Sequence, residues 1–241
     1  MQTPLKSVPL KIAVIGSGIS GLSSAWLLSK HHQVTLFEQD SRLGGHTNTV
    51  DIQTSAGTIA VDTGFIVFNE HCYPNLVALF KYLDIPYQGT DMSFGVSLDQ
   101  GRLEYSGSNS IATMFAQKRN VFRPRFWGMI QDLLRFYKQS AGWLQTLPDD
   151  LSLGELLRQE KFGPGFCKDH LLPMSAAIWS TPTEKMLAYP AKAFLRFCDN
   201  HGLLQVNERP QWQTVTGGSR EYVKRLSADF AEGIRLNCAI K

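Results

Sequence analysis

Apolar residues change their spacing twice within the first 40 positions of this 241-residue chain. Ile12 to Ile15 is a short continuous apolar run, Ile19 to Ser29 has helical spacing, and Val34 to Phe37 is a second short run. Strand, helix, strand is the prediction, and strands joined through a helix pair in parallel. Thr49 to Thr54 and Thr58 to Val61 then read as two strands joined by "SAG", the first alternating polar and apolar residues. Residues 74 to 84 predict a helix opened by Pro74, with Leu76, Leu79, Phe80 and Leu83 on one side. "GVSLDQGRLEY" is a hairpin signal. From 152 to 200 the pattern is mostly helical: Ser152 with Glu155 makes a capping box, and Ala191 to Asn200 ends near Gly202. "AAIWSTPTEKMLAYP" interrupts it, and its Trp179, Met186, Tyr189 and Pro190 read either as core or as the lining of an apolar cavity. "QWQTVTGGSREYV" gives a strand, a turn at Gly217 and Gly218, and a helix, and a last strand starts at Ile234.

The first strand and helix are joined by "GSGISG", Gly16 to Gly21. Glycines at this spacing are weak evidence alone and gain weight here because they follow a strand and open a helix. Gly16 suits the sharp reversal, Gly18 lets backbone approach a pyrophosphate, and Gly21 lets the helix lie close to the strand. Ser17, Ile19 and Ser20 complete the turn, and the helix N-terminus faces the phosphates. At the end of the second strand, Glu38 is placed to accept both ribose hydroxyls of an adenosine, with Gln39 beside it. Its charge disfavours a 2′-phosphate, so FAD or NAD fits better than NADP. Next, "SRLGGHTNTV" brings Arg42 and His46, which can offset phosphate charge, and a second glycine turn at Gly44 and Gly45. A nicotinamide-binding domain has no need of that second turn.

Composition narrows the partners. With 24 basic and 21 acidic side chains and a net charge of +3, nothing in the total demands a polyanion. Charge is concentrated in residues 118 to 138, where Lys118, Arg119, Arg123, Arg125, Arg135 and Lys138 face one acid, Asp132. Phe122, Phe126, Trp127, Ile130, Leu133, Leu134 and Tyr137 interleave with them, a pattern that suits a helix packed on a core and also one lying on an anionic membrane surface. No nucleic-acid-binding fold accompanies the cluster, so nucleic acid is not an expected partner. The four cysteines form no CxxC pair and the six histidines show no ligand spacing, so no metal site is expected. The N-terminus lacks the apolar core of a signal peptide and no run of about 18 apolar residues offers a membrane span. A soluble cytoplasmic protein is the expectation.

"GSGISG", then "FE", "RLGGH" and "VDTGF" together resemble the flavin-containing amine oxidase, phytoene desaturase and protoporphyrinogen oxidase superfamily. The likeness is closer to a bacterial branch of predicted NAD/FAD-binding proteins, FAD-dependent oxidoreductases, and it extends through "MSFGVSLDQGRLEYSG", "RPRFWGMIQDLLRF" and "QWQTVTGGSREYVKRL". The resemblance implies that these segments hold FAD and that Thr63, Gly64 and Phe65 lie against its ribityl chain or ring, with Asp62 organising the turn. Many amine oxidases carry Arg where this chain has His46 and Asp40. Phosphate charge here then rests on helix N–H groups and Arg42.

The fold expected is α/β: a Rossmann-like FAD-binding domain formed by residues 1–85 and 206–241, with a largely helical substrate domain inserted at 86–205. The insertion carries a small mixed or antiparallel sheet. The resemblance also places a segment closing the flavin site beyond residue 241, so the chain is expected to be C-terminally incomplete. No GxSxG elbow or HExxH pattern supplies a catalytic residue, and the chemistry is the flavin's: hydride transfer in the oxidation, desaturation or reduction of a small apolar, lipid-like substrate. A nucleotide-binding module without turnover and an NAD-dependent dehydrogenase are the alternatives.

Overall fold

The computed structural model describes residues 8–107, 111–179, 181–205 and 210–240. The first residues of the N-terminal stretch, Ser180 within "AAIWSTP" and the boundary expected at 206 lie outside them. In chain order the elements are β1 (Lys11–Ile15), α1 (Ile19–Ser29), β2 (Gln33–Phe37), β3 (Thr49–Thr54), β4 (Gly57–Asp62), α2 (Pro74–Tyr82) and β5 (Tyr87–Thr90). There follow β6 (Phe94–Leu98), β7 (Leu103–Gly107), α3 (Ile111–Met114), a 3-10 turn (Lys118–Phe122), α4 (Pro124–Thr146), α5 (Leu153–Gln159) and α6 (Pro164–Phe166). A π-helical turn (Cys167–Leu171), α7 (Leu172–Trp179), α8 (Thr183–Leu187), α9 (Ala191–Asn200), β8 (Trp212–Val215), α10 (Arg220–Ala228) and β9 (Ile234–Arg235) complete the chain.

Two compact units divide after Thr90 and after Pro210, not at the expected 85 and 205. The reason is a pairing between distant segments: β5 runs antiparallel to β8, with Tyr87 opposite Val215 and Thr90 opposite Trp212. That ladder draws the chain up to Thr90 into the first unit.

In the first unit the predicted βαβ element forms as a parallel pair, Lys11 opposite Gln33 through Ile15 opposite Phe37, and β9 adds to the far side of β2 with Leu36 opposite Ile234. Val34 and Leu36 point into a core with Leu22, Ala25 and Trp26 of α1, and with Tyr222, Val223 and Leu226 of α10. β1 differs from an ordinary parallel strand, which is covered on both faces. Its residues alternate between half-buried and exposed, Ile15 is 68% exposed, and among the described residues no strand pairs with its other edge. The hairpin β3–β4 turns in two residues, because Gly57 already pairs with Thr54. Phe68 is fully buried and meets Phe80 of α2 and Tyr87 of β5 edge to face at 5.2 and 5.4 Å. Burial of a side chain this size contributes about 1.5–3 kcal/mol, so the connection after β4 is held by its own apolar anchor.

In the second unit β6 and β7 form the expected hairpin, antiparallel from Phe94 opposite Gly107 to Leu98 opposite Leu103. α4 buries Phe126, Met129, Phe136 and Trp143, so one face of the basic stretch is core, while Trp127, Leu134 and Lys138 lie on the outer face. The capping box of α5 forms as predicted, the Ser152 hydroxyl accepting from the Glu155 amide at 3.2 Å and Glu155 Oε2 accepting from the Ser152 amide at 3.0 Å. The interruption expected at "AAIWSTPTEKMLAYP" forms: α7 ends at Trp179, and the short α8 occupies Thr183–Leu187 before α9 begins at Ala191. Met186 is buried, and Trp179 packs on Phe197, Phe194 and Tyr189 with centroids 4.5, 5.5 and 5.7 Å away. These residues knit the helices together as core.

The π-helical turn buries His170 against Tyr105 of β7. The Tyr105 hydroxyl donates to the Asp169 carbonyl at 2.8 Å, which leaves its oxygen to accept from His170 Nδ1 at 2.9 Å. Phe94 and Phe166 surround the ring, and Nε2 has no partner among the described residues. Burial therefore pushes the imidazole down to about 4 from its usual 6.5. A base whose folded value is depressed stabilises the fold fully above its unfolded value, and that stability is lost as pH falls from 6.5 toward 4. The expected loss is about 2 kcal/mol between about pH 7 and about pH 5, read from urea unfolding midpoints. His170→Asn should be less stable at the higher pH and lose that slope.

Candidate dinucleotide site

Ser17 ties three loops together. Its amide and hydroxyl donate to Glu38 Oε2 at 2.8 and 2.5 Å, while its carbonyl and hydroxyl oxygens both receive the Gly44 amide at 3.1 Å. Ser17 is fully buried, so the glycine turn, the end of β2 and the "RLGGH" loop meet on an atom set that water does not reach. Burial raises the Glu38 carboxyl, and the hydrogen bonds from the Ser17 hydroxyl and the Asp40, Ser17 and Gln39 amides outweigh it, holding Glu38 below its ordinary value. It is a carboxylate at neutral pH. Oε1 accepts the Asp40 amide at 2.9 Å, and a carboxylate oxygen has more than one lone pair to offer donors.

Backbone contact fixes the same loops at two further places. A Cβ on Gly21 would stand 1.9 Å from the Gly16 carbonyl oxygen, so only glycine lets α1 begin this close to the turn. A Cβ on Gly64 would stand 1.9 Å from the His46 carbonyl oxygen, which seats the "DTGF" loop directly on "RLGGH". Asp62, just before that loop, accepts from the Ser219 amide at 3.0 and 2.9 Å, from the Ser219 hydroxyl at 2.7 Å and from Thr49 at 2.5 Å. The carboxylate thereby caps the N-terminus of α10.

The two helix starts consequently differ in electrostatics. α10 has the Asp62 carboxylate on the amide of its N-cap, Ser219. α1 has none: Gly18 is its N-cap, no side chain caps it, and its first turn holds no acid. Its positive end opens on a cavity of about 630 Å³ lined by Ile15, Gly16, Gly18, Ile19, Ser20, Gly21, Gly44, His46, Thr47, Phe65, Tyr73, Leu76 and Tyr222. A Cβ on Gly18 would meet no protein atom within 4 Å, so space remains beside the bare amides. Phe65 and Tyr222 pack edge to face, and the Tyr222 hydroxyl bonds Thr47.

Of the residues singled out in the sequence, the structure brings Gly16, Gly18, Ile19, Ser20, Gly21, Gly44, His46 and Phe65 to this cavity. Ser17, Gly45 and Gly64 lie behind it as packing, and Glu38 and Gln39 sit at the end of β2 outside its lining. Thr63 is bound to Asn48, its hydroxyl donating to the Asn48 carbonyl at 3.1 Å. Arg42 points elsewhere: its guanidinium donates to the Thr47 and Gly45 carbonyls at 2.8 Å each and closes its own loop. It stands outside the lining of this cavity, where the bare α1 amides are the electropositive group. Gly217 and Gly218 serve the capped helix α10, which removes them from the phosphate contacts as well. Sequence reasoning missed Ile15, Thr47, Tyr73, Leu76 and Tyr222. Their signal was apolar periodicity, which marks burial and says nothing of a ligand.

Among known proteins, the model of the NAD(P)-binding Rossmann-like domain family matches residues 14–83. A 44-residue stretch, 18% of the chain, is 48% identical to the L-amino-acid oxidase of Pseudechis australis and covers 8% of that protein. Putrescine oxidase in its wild-type, putrescine-bound structure superposes with a TM-score of 0.62 at 16% identity, over 95% of this chain and 50% of that one. Cyclohexylamine oxidase from Brevibacterium oxydans IH-35A gives 0.61 at 18% identity, over 95% and 51%. An oxidoreductase from Methanosarcina mazei gives 0.57 at 16%, over 94% and 51%. The chain spans about half the length of these solved structures. The glycine turn, the loops stapled to it and these superpositions agree: the chain carries a Rossmann-like domain and has a fold similar to that of putrescine oxidase and cyclohexylamine oxidase.

Proposed function

We propose that this chain holds FAD and that the protein is an FAD-dependent oxidoreductase acting on a small apolar substrate. The observation that carries the reading is the contrast between the two helix starts, one closed by Asp62 and the other bare and facing a cavity large enough for part of a dinucleotide. The residues present fit that group. The amides at the start of α1 and the open side of Gly18 take the pyrophosphate, and Glu38 Oε1 takes a ribose hydroxyl. Phe65, Tyr73, Leu76 and Tyr222 supply an apolar wall that excludes water and orients a flat ring. When bound, FAD supplies a hydride acceptor at its ring. The protein's part is to bind, orient and desolvate. The seating of Gly64 on His46 and of Asp62 on Ser219 keeps that wall rigid.

The purified chain is expected to show the visible flavin bands, with FAD released on denaturation. Bound nicotinamide nucleotide without flavin would overturn the reading in favour of a dehydrogenase, and failure to take up added FAD would favour a module without turnover. Gly18→Val separates binding from folding, because Gly18 has φ −63° and its Cβ direction is free of protein. That variant should lose at least about tenfold in FAD affinity with an unchanged melting temperature. Gly21→Ala should instead cost about 3 kcal/mol of stability, as expected of overpacking against backbone, measured by urea unfolding without cofactor.

A further inference from the structure

Phe122 is 86% exposed, yet the turn that presents it is firmly built. Asn120 beside it is fully buried and donates to the Glu104 carbonyl at 3.0 Å. Trp127 Nε1 donates to the Val121 carbonyl at 2.8 Å, and the Trp127 ring packs on Phe115 at 5.4 Å, itself 5.5 Å from the buried Phe126. A chain of aromatic contacts thus runs from the core of this unit to a surface on which Val121, Phe122, Trp127 and Leu134 are exposed.

Cations ring that surface without carboxylate partners. Of the basic residues at 118 to 138, Arg125 is paired with Asp169 and Arg135 with Asp132. Lys118, Arg119 and Arg123 make no ion pair among the described residues. Arg119 donates to the carbonyls of Gly101 and Arg102 at 2.7 and 3.0 Å, and Arg123 to the Arg102 carbonyl at 2.8 Å and the Asn120 side chain at 3.0 Å. These oxygens fix the guanidinium groups in place and leave their charge uncompensated. The nearby acids are already engaged, Asp99 with Arg102 and Glu104 with Gln117 and Ser97.

We propose that this face docks on an anionic lipid bilayer, with Phe122 and Val121 entering the interface and Lys118, Arg119 and Arg123 meeting the headgroups. An apolar tip that projects from the surface, flanked by fixed cations and with a Trp at its base, has the distribution of an interfacial anchor. The centre of a protein–protein contact is by contrast depleted in lysine, and a nucleic-acid groove needs its aromatics set along a channel. The inference stands apart from the cofactor reading, since these residues belong to the second unit and the glycine turn to the first.

Cosedimentation of the chain with vesicles tests it. Binding is expected to phosphatidylcholine vesicles containing about one quarter phosphatidylglycerol, at least about tenfold stronger than to phosphatidylcholine alone, and released by about 0.5 M salt. Phe122→Ser, and separately Lys118→Gln with Arg119→Gln, should each weaken binding about tenfold with an unchanged far-UV circular dichroism spectrum. Absence of binding to the anionic vesicles, equal binding to neutral ones, or binding unaffected by Phe122→Ser would overturn the proposal. Equal or tighter binding to duplex DNA that ignores Phe122→Ser would also overturn it, and would assign the patch to a polyanion.

Discussion

Ser17 is the position on which the site depends. Two segments that lie 21 and 27 residues further along the chain converge on its amide, hydroxyl and carbonyl, and each bond is made out of contact with water. Losing such a bond costs more than forming it gains, because the partner is left buried without a donor. The Glu38 carboxylate makes the constraint stronger, since a charge at the end of a buried strand needs donors to remain ionised. The first glycine turn, the second one and the Glu38 carboxylate therefore form one rigid object.

Around that object the chain distributes its helix ends unequally. Asp62 and Thr49 belong to the hairpin that follows "RLGGH", and they neutralise the start of α10. The start of α1 is left with a field and no counter-charge. Electrostatic asymmetry of this kind marks one end of the cavity as suited to an anion, whereas most of its lining is apolar and would serve many molecules. It also assigns the second glycine pair, Gly217 and Gly218, to architecture.

Much of the first unit was legible in the sequence because its signals are local. The apolar runs at Ile12 and Val34 with a helical period between them gave both strands, the helix and their parallel pairing. Gly16 to Gly21 marked the turn because its steric demand is written in residue type. The sequence did not disclose which polar side chains face inward. Ser17 and Arg42 read as ligand contacts, yet Ser17 bonds Glu38, a neighbour brought in from another segment, and Arg42 bonds the carbonyls of its own loop. The unit boundaries were missed for the same reason, since the partnership of β5 with β8 spans more than a hundred residues. Trp179 and Met186 were ambiguous because an aromatic and a methionine look alike in sequence whether they fill a core or line a cavity.

β1 ends at the cavity, with Ile15 on its rim and one whole edge unpaired among the described residues. A sheet edge is a template for another strand. Here the template and the nucleotide share a wall, so a strand added beside β1 would touch the ligand's surroundings and a ligand would touch the strand's. The two events are then thermodynamically linked, each changing the affinity of the other by the same factor.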